Sequence, residues 1–262
     1  MDNKAQRSIF DLALFDPKSA ILLFFFFATA LSAQQSVAVD LSSGWQRRDW
    51  SQCGNAAGLA TDGDDLTIHS DSSAVIFWQI PTVEGRALEL GADYKWVRQC
   101  DAPSFSFWHQ LRKADLDQHR LVLIEKYPLL TWRWHAQGIP PEAACAVSLR
   151  VVITKKDTNE LRELSYDLRC SLGTALETDA LKIEKRTIIP GLFSYKTAHF
   201  SLLWVKDRQR IKRDLKADYK RAFPKETPGR VVRLLIKAES NPVRQRIEVK
   251  LDSVYFLTGL IR

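Results

Sequence analysis

Methionine is almost missing from this 262-residue chain, which has one, and glycine is sparse at 11. A nucleotide-binding α/β domain leans on glycine-rich phosphate turns, so that scarcity argues against one. No G-x-S-x-G, H-E-x-x-H, Walker loop or G-x-G-x-x-G occurs. The motif-borne versions of acyl transfer, zinc proteolysis, nucleotide hydrolysis and hydride transfer therefore have no support. His69, His109, His119, His135 and His199 are widely spaced, with no pair at i and i+4, so neither a metal nor a cofactor is expected. The turn at Asp62, Gly63, Asp64 and Asp65 lacks the alternating ligands and closing Glu of a calcium loop, and reads as turn chemistry. Internal repeats and low-complexity linkers are missing too.

What is present points to strands. The chain is 45% hydrophobic and 26% charged, which excludes a disordered, collagenous or many-helix membrane protein. Eight Trp, 13 Phe and 6 Tyr favour half-buried β structure. Ser19 to Ala33, SAILLFFFFATALSA, is an apolar run behind Lys18 that closes on small residues, with Ala30 and Ser32 at an A-x-A-like spacing. It is short for a span, which needs about 20 apolar residues. Residues 1–33 are therefore expected to be a cleaved export signal, leaving no transmembrane span and a periplasmic or secreted protein. Residues 38–258 would form one β-sandwich domain.

Four cysteines, Cys53, Cys100, Cys145 and Cys170, make an even set suited to disulfides in an exported chain, and none forms a C-x-x-C pair. Cys145 and Cys170 flank a long hairpin around the polar turn from Lys155 to Glu160. A turn centred on Asp157 and Thr158 would set the two sulfurs directly opposite each other, leaving Cys53 for Cys100 by elimination.

Short strand-like runs recur at Asp65–Ser70, Ala74–Ile80, Ala87–Val97, Ser104–His109, Leu121–Lys126, Leu129–Ala136, Lys182–Ile189, Thr197–Val205, Arg230–Ala238 and Arg246–Leu257. Such a series predicts a single, mainly β, jelly-roll-like antiparallel sandwich. Leu129–Ala136 alternates, with Leu130, Trp132, Trp134 and Ala136 on the core face and Arg133 and His135 on the other. One stretch breaks the rhythm. Asp207 to Phe223 places Ile211, Leu215, Tyr219 and Phe223 four apart, predicting an amphipathic helix with Asp207 as N-cap and Pro224 as stop. From Lys206 to Lys225, nine basic residues face three acidic ones, so most of the chain's net +7 is concentrated there.

Tyr127, Pro128, Leu129, Leu130, Thr131, Trp132, Arg133 and Trp134, followed by the break at Ile139 and Pro140, resemble the signature of the bacterial, usually exported domain-of-unknown-function family 3047. The carboxyl half is similar: a strand ending in Trp204, a helix with Asp214, Tyr219 and Phe223, and a closing strand with Asp252, Val254, Tyr255 and Phe256. The resemblance implies a sandwich akin to carbohydrate-binding and galactose-binding-like modules, without an established activity. The resemblance is that of a divergent member, with Glu142 to Cys145 and Lys237 to Pro242 standing where that family tends to carry acidic residues.

Function is read as an exported, non-catalytic module that binds a carbohydrate or an anionic envelope component. Arg133 and His135 would contact it from the sheet, and Arg213, Lys216 and Lys220 from the basic helix. The partners expected are a glycan, an anionic envelope polymer or lipid headgroups; nucleic acid is not, because the stripe has no interleaved aromatics. Two alternatives stay open. A carbohydrate-active, glycoside hydrolase-like enzyme on a jelly roll would show two carboxylates in a tryptophan-lined cleft. A structural, partner-binding periplasmic protein would show an exposed apolar patch or an unpaired sheet edge.

Overall fold

Alternating side chains in most of the chain leave one apolar face per strand, and two sheets bury those faces against each other. The computed structural model describes residues 34–49, 57–62, 65–70, 74–88, 120–137, 144–156, 160–169, 179–189, 193–203, 209–239 and 246–259. The strands are β1 (Ser36–Ala38), β2 (Gln46–Asp49), β3 (Ala57–Asp62), β4 (Asp65–Ser70), β5 (Ala74–Gln79), β6 (Leu129–Gln137), β7 (Ala144–Lys155), β8 (Leu161–Arg169), β9 (Leu181–Ile189), β10 (Phe193–Leu203), β11 (Gln209–Asp214), β12 (Pro228–Glu239) and β13 (Ile247–Leu257), with one described helix, α1 (Leu215–Ala222). The protein is a mainly β, jelly-roll-like sandwich, with one short helix among the described residues.

One sheet has six strands in the order β11-β6-β13-β4-β3, with β1 also on β13. β6 occupies one edge of β13 along most of its length, and β4 covers the other edge only as far as Leu251. β1 takes the remainder, pairing Ser36 with Leu257. The second sheet has seven strands in the order β2-β5-β12-β7-β8-β10-β9. Its one parallel ladder joins β10 to β8, in register from Lys196 with Arg162 to Leu203 with Arg169. The β9–β10 hairpin thus docks by its second strand, and a purely antiparallel sandwich was not the outcome.

Between the sheets, Leu66, Ile68, Trp132, Trp134 and Leu251 from the first meet Leu149, Tyr166, Phe200 and Leu234 from the second, all essentially without solvent contact. Trp132 packs edge-on against Trp134, with centroids 5.9 Å apart, and lies 5.4 Å from Tyr166. The alternation of the Leu129–Ala136 run placed both tryptophans correctly. A second apolar cluster, including Ile76, Trp78, Val152 and Leu235, lies on the other face of the seven-stranded sheet.

Three expectations meet corrections. The predicted helix is half strand: Gln209–Asp214 pairs with β6, and the helix starts at Leu215 with Asp214, not Asp207, as N-cap, its side chain accepting from the Ala217 amide at 2.9 Å. Ile211 and Arg213 alternate with Arg210 and Lys212 at period two as well as fitting a helical stripe, and the open edge of β6 supplies ladder bonds that decide between them. Leu121–Lys126 is a turn with isolated bridges from Leu121 to Thr82 and Leu123 to Arg230, not a strand. The β7–β8 hairpin follows the predicted register from Thr154 with Leu161 to Val147 with Leu168, but a bulge then shifts it, and Ala144 pairs with Arg169. The side chains of all four cysteines, residues 1–33, where an export signal was expected, and the strand-like stretches 89–97 and 104–109 lie outside the described residues.

Candidate functional site

The residues singled out in sequence fall in two settings. Arg133 and His135 point away from the core on β6, in register with Asp252 and Lys250 of β13. Arg133 Nε sits 3.1 Å from Asp252 Oδ1, and its Nη2 donates to Ser253 Oγ at 3.5 Å. A bulge between Asp252 and Tyr255 puts Ser253 at φ 55°, turning its hydroxyl toward that guanidinium. Lys250 in turn pairs with Asp65 at 2.5 Å. This face is thus a lattice of cross-strand ion pairs.

Arg213 differs from its basic neighbours. Pairing Ile211 with Trp132 and Arg213 with Leu130 aims Arg213 inward at one end of the sandwich. There it donates from Nε and Nη2 to the two oxygens of Asp218, at 2.9 and 2.7 Å, and from Nη1 to Asp179 at 2.7 Å. Its guanidinium lies over Tyr166 and Phe200, 5.4 and 5.2 Å from the ring centroids. Arg221 also spends its guanidinium on Asp179. Burial opposes the charge on Arg213, and the bonds to Asp218 more than offset it, so this group stays protonated above its ordinary range.

Lys216 and Lys220 take the opposite role. Both are exposed on α1, one helical turn apart, and Arg210 and Lys212 are exposed on β11, the edge strand that leads into it. None of these four has an ion pair among the described residues. The structure therefore leaves Arg210 and Lys212 exposed on β11 and Lys216 and Lys220 exposed on α1, and separates Arg213 from them. It also leaves Arg133 on the neighbouring strand, in register with Arg210.

A further polar cluster, unmarked in sequence, lies on the outer face of the seven-stranded sheet. Ser148, Glu163, Ser165, Asp167, Thr197 and Ser201 are buried there. Asp167 accepts from Ser165 Oγ at 2.7 Å and contacts His199 Nδ1 at 2.7 Å. Arg150 donates to Ser148 Oγ at 3.0 Å and to Glu163 at 3.1 Å. The residues come from β7, β8 and β10, and the parallel register sets His199 beside Ser165. Burial works to raise the Asp167 carboxyl, but the bonds from His199 and Ser165 outweigh it and hold it below the ordinary carboxylate value.

A third charged group staples the hairpin end. Arg162 donates to both oxygens of Glu226, at 2.6 and 2.8 Å, and to Glu160 at 2.7 Å. Burial tends to raise Glu226 as well, and Arg162 keeps it low. Tyr166 and Tyr219 are pushed the other way, chiefly by burial, well above the ordinary phenol value.

A pH dependence follows from these directions. The depressed Asp167 and Glu226 contribute stability that is complete above the unfolded carboxylate range of about 4 and is lost as pH falls through their lower folded values. The raised tyrosines contribute stability that is present below about pH 10 and lost as pH rises beyond it. Urea midpoints measured across pH should form a plateau with both limbs, and Glu226→Gln should flatten the acid one.

A groove of about 380 Å³ also opens between β1 and the β13 bulge, near Asp40, Glu84 and Tyr255. Its acids are already engaged. Asp40 accepts from the Ser42 amide and from the hydroxyls of Ser42 and Ser43, and Glu84 pairs with Arg120 at 2.7 Å. Among the described residues, Ile183 is the one exposed large hydrophobic side chain, so they form no broad apolar docking patch.

No family model and no curated protein matches the chain. Solved structures with a similar chain path include the xyloglucanase domain of NopAA from Sinorhizobium fredii, in complex with cellobiose, at 8% identity and TM-score 0.41, covering 87% of this chain and 98% of that one. The family 11 xylanase of Neocallimastix patriciarum is similar at 10% identity and TM-score 0.41, over 86% and 95% of the two chains. The family 12 xyloglucanase of Bacillus licheniformis is similar at 7% and 0.38, over 84% and 89%. At these values the likeness assigns neither an activity nor a ligand to this chain.

Proposed function

We propose that this protein is an exported, non-catalytic β-sandwich module that binds an anionic glycan of the cell envelope along the β11–α1 edge. One observation carries the reading: within a single basic stretch, Arg213 and Arg221 are held by Asp218 and Asp179, whereas Arg210, Lys212, Lys216 and Lys220 stand exposed without an ion pair among the described residues. Cations satisfied internally build the fold, and cations left in water attract a counter-charge. A spaced row of them suits a polymer with repeated carboxylates or sulfates better than a membrane, because the exposed positions of β11 and α1 carry no bulky apolar side chain to enter lipid. Arg133, in register with Arg210, is held by Asp252 and by that criterion belongs to the fold and not to the row.

Titration of the mature protein with polygalacturonate should give an affinity that falls steeply between low and moderate salt. The triple charge reversal Lys212→Glu, Lys216→Glu and Lys220→Glu should weaken it by roughly tenfold or more at low salt, with an unchanged melting profile. Anionic vesicles serve as the comparison. Equal affinity of the native and reversed proteins, or a preference for vesicles, would overturn the reading.

A further inference from the structure

We infer that the groove between β1 and the β13 bulge is a second binding site, one that holds a neutral sugar residue against Tyr255, Arg86 and Ser253. It shares no residue with the basic edge and does not depend on it.

The walls of the groove are fixed by backbone bonds. The Val39 amide donates to the Val254 carbonyl at 2.9 Å, and the Asp40 amide donates to the Gly85 carbonyl at 2.8 Å. The residues that follow β1 are thus tied to β13 on one side and to the turn at Gly85 on the other. Gly85 sits at φ 86°, and a Cβ added there would collide with the Ala38 carbonyl, so the close approach of turn and strand requires glycine. Ser253, at φ 55° in the bulge, lines the same space. A left-handed serine is uncommon, and the bulge spends that strain on aiming the hydroxyl. The enclosed volume of about 380 Å³ falls at the low end of the range of about 300–1,000 Å³ in which proteins hold small ligands.

The charges that line the groove balance one another. Asp40 is held ionised by the Ser42 and Ser43 hydroxyls, and Arg86 acts on it through charge alone, without an ion pair between them among the described residues. Glu84 is answered by Arg120. An anion drawn to Arg86 would meet Asp40, and a cation drawn to Asp40 would meet Arg86. What the groove has to give is hydrogen. The Arg86 guanidinium and the Tyr255 phenol make no hydrogen bond among the described residues. Ser253 Oγ accepts from Arg133 and keeps its own hydrogen to donate. Beside these donors the half-buried ring of Tyr255 supplies an apolar surface. The matching ligand is neutral, offers several oxygens as acceptors and has one apolar face to lie on the ring. A pyranose combines these properties in one residue.

The test is NMR titration of the full protein with the methyl glycosides of glucose, galactose, mannose and xylose, and with glucuronate as the charged counterpart of glucose. The variants are Arg86→Gln, Ser253→Gly, Tyr255→Phe and the triple lysine reversal. Glycine adopts φ 55° without strain, so Ser253→Gly removes the hydroxyl and keeps the bulge. The expected result is saturable binding of at least one neutral glycoside, with a dissociation constant on the order of 1 mM. Arg86→Gln and Ser253→Gly should each weaken it roughly fivefold or more, Tyr255→Phe should weaken it less because the ring remains, and the reversal should leave it unaltered. Absence of binding by the native protein up to about 10 mM, or equal binding by the native protein and the Arg86 and Ser253 variants, would overturn the proposal. So would tighter binding of glucuronate than of every neutral glycoside, since the groove would then select charge. Failure of polygalacturonate to bind bears only on the basic edge.

Discussion

Replacing Asp218 by alanine should destabilise the protein by about 3–5 kcal/mol, the cost typical of breaking a buried ion pair by removing one partner. Its carboxylate is 9% exposed, faces the 15% exposed Arg213 through two hydrogen bonds, and accepts from the buried Tyr166 hydroxyl at 2.9 Å. Alanine would strand a guanidinium between Tyr166 and Phe200 with only Asp179 to answer it, and leave a fully buried phenol without its acceptor. Asp218→Asn separates the contributions, because the amide oxygen can still accept from Tyr166 while the charge is gone. Chemical denaturation checks both, with Asn expected between native and Ala. A loss under about 1 kcal/mol for Asp218→Ala would mean that water replaces the carboxylate and that this end of the sandwich is wet. Arg213 would then be available to a ligand after all.

Trp132→Ala should cost a similar amount, about 3–5 kcal/mol, for a different reason. The side chain is fully buried at the middle of the inner face and packs on Trp134 and Tyr166, so truncation opens a cavity that both sheets would have to close. Its indole N–H finds no acceptor among the described residues, so the ring contributes packing and no hydrogen bond. Trp132→Phe should accordingly recover much of the loss. Urea midpoints for the three proteins give the comparison, and a Phe variant as unstable as Ala would contradict the packing account. Because Tyr166 touches both Trp132 and Asp218, the double variant Trp132→Ala with Asp218→Ala should depart from additivity.

Much of the scaffold was legible before any coordinates. The Asp65–Ser70 strand, the burial of Trp132 and Trp134, and the register of the β7–β8 hairpin down to Val147 all follow from period-two patterning and turn chemistry, which act over a few residues. The helix was half legible. Ile211, Leu215, Tyr219 and Phe223 are buried as their spacing required, yet Ile211 is buried from a strand. Local pattern names the buried face and leaves the backbone open where both periods fit; the free edge of β6 chose.

The charged residues were hardest to sort. Arg213 and Lys216 look alike in the sequence, three residues apart, and only pairing with Leu130 turns Arg213 into the sandwich while Lys216 meets water on the helix. Asp167 and His199 are 32 residues apart with another strand between them. They meet because β10 inserts parallel to β8, a non-local choice that no spacing announces.

By itself, then, the sequence determined the mainly β class, the burial of the Leu130, Trp132 and Trp134 face and of the Ile211 to Phe223 stripe, and the concentration of positive charge between Lys206 and Lys225, since each is a property of local composition and periodicity. The tertiary structure alone decided which of those charges hold the fold and which face outward, and it alone assembled the Asp167 and His199 pair. Both outcomes depend on strand order and register, which are set when distant segments compete for the same sheet edges.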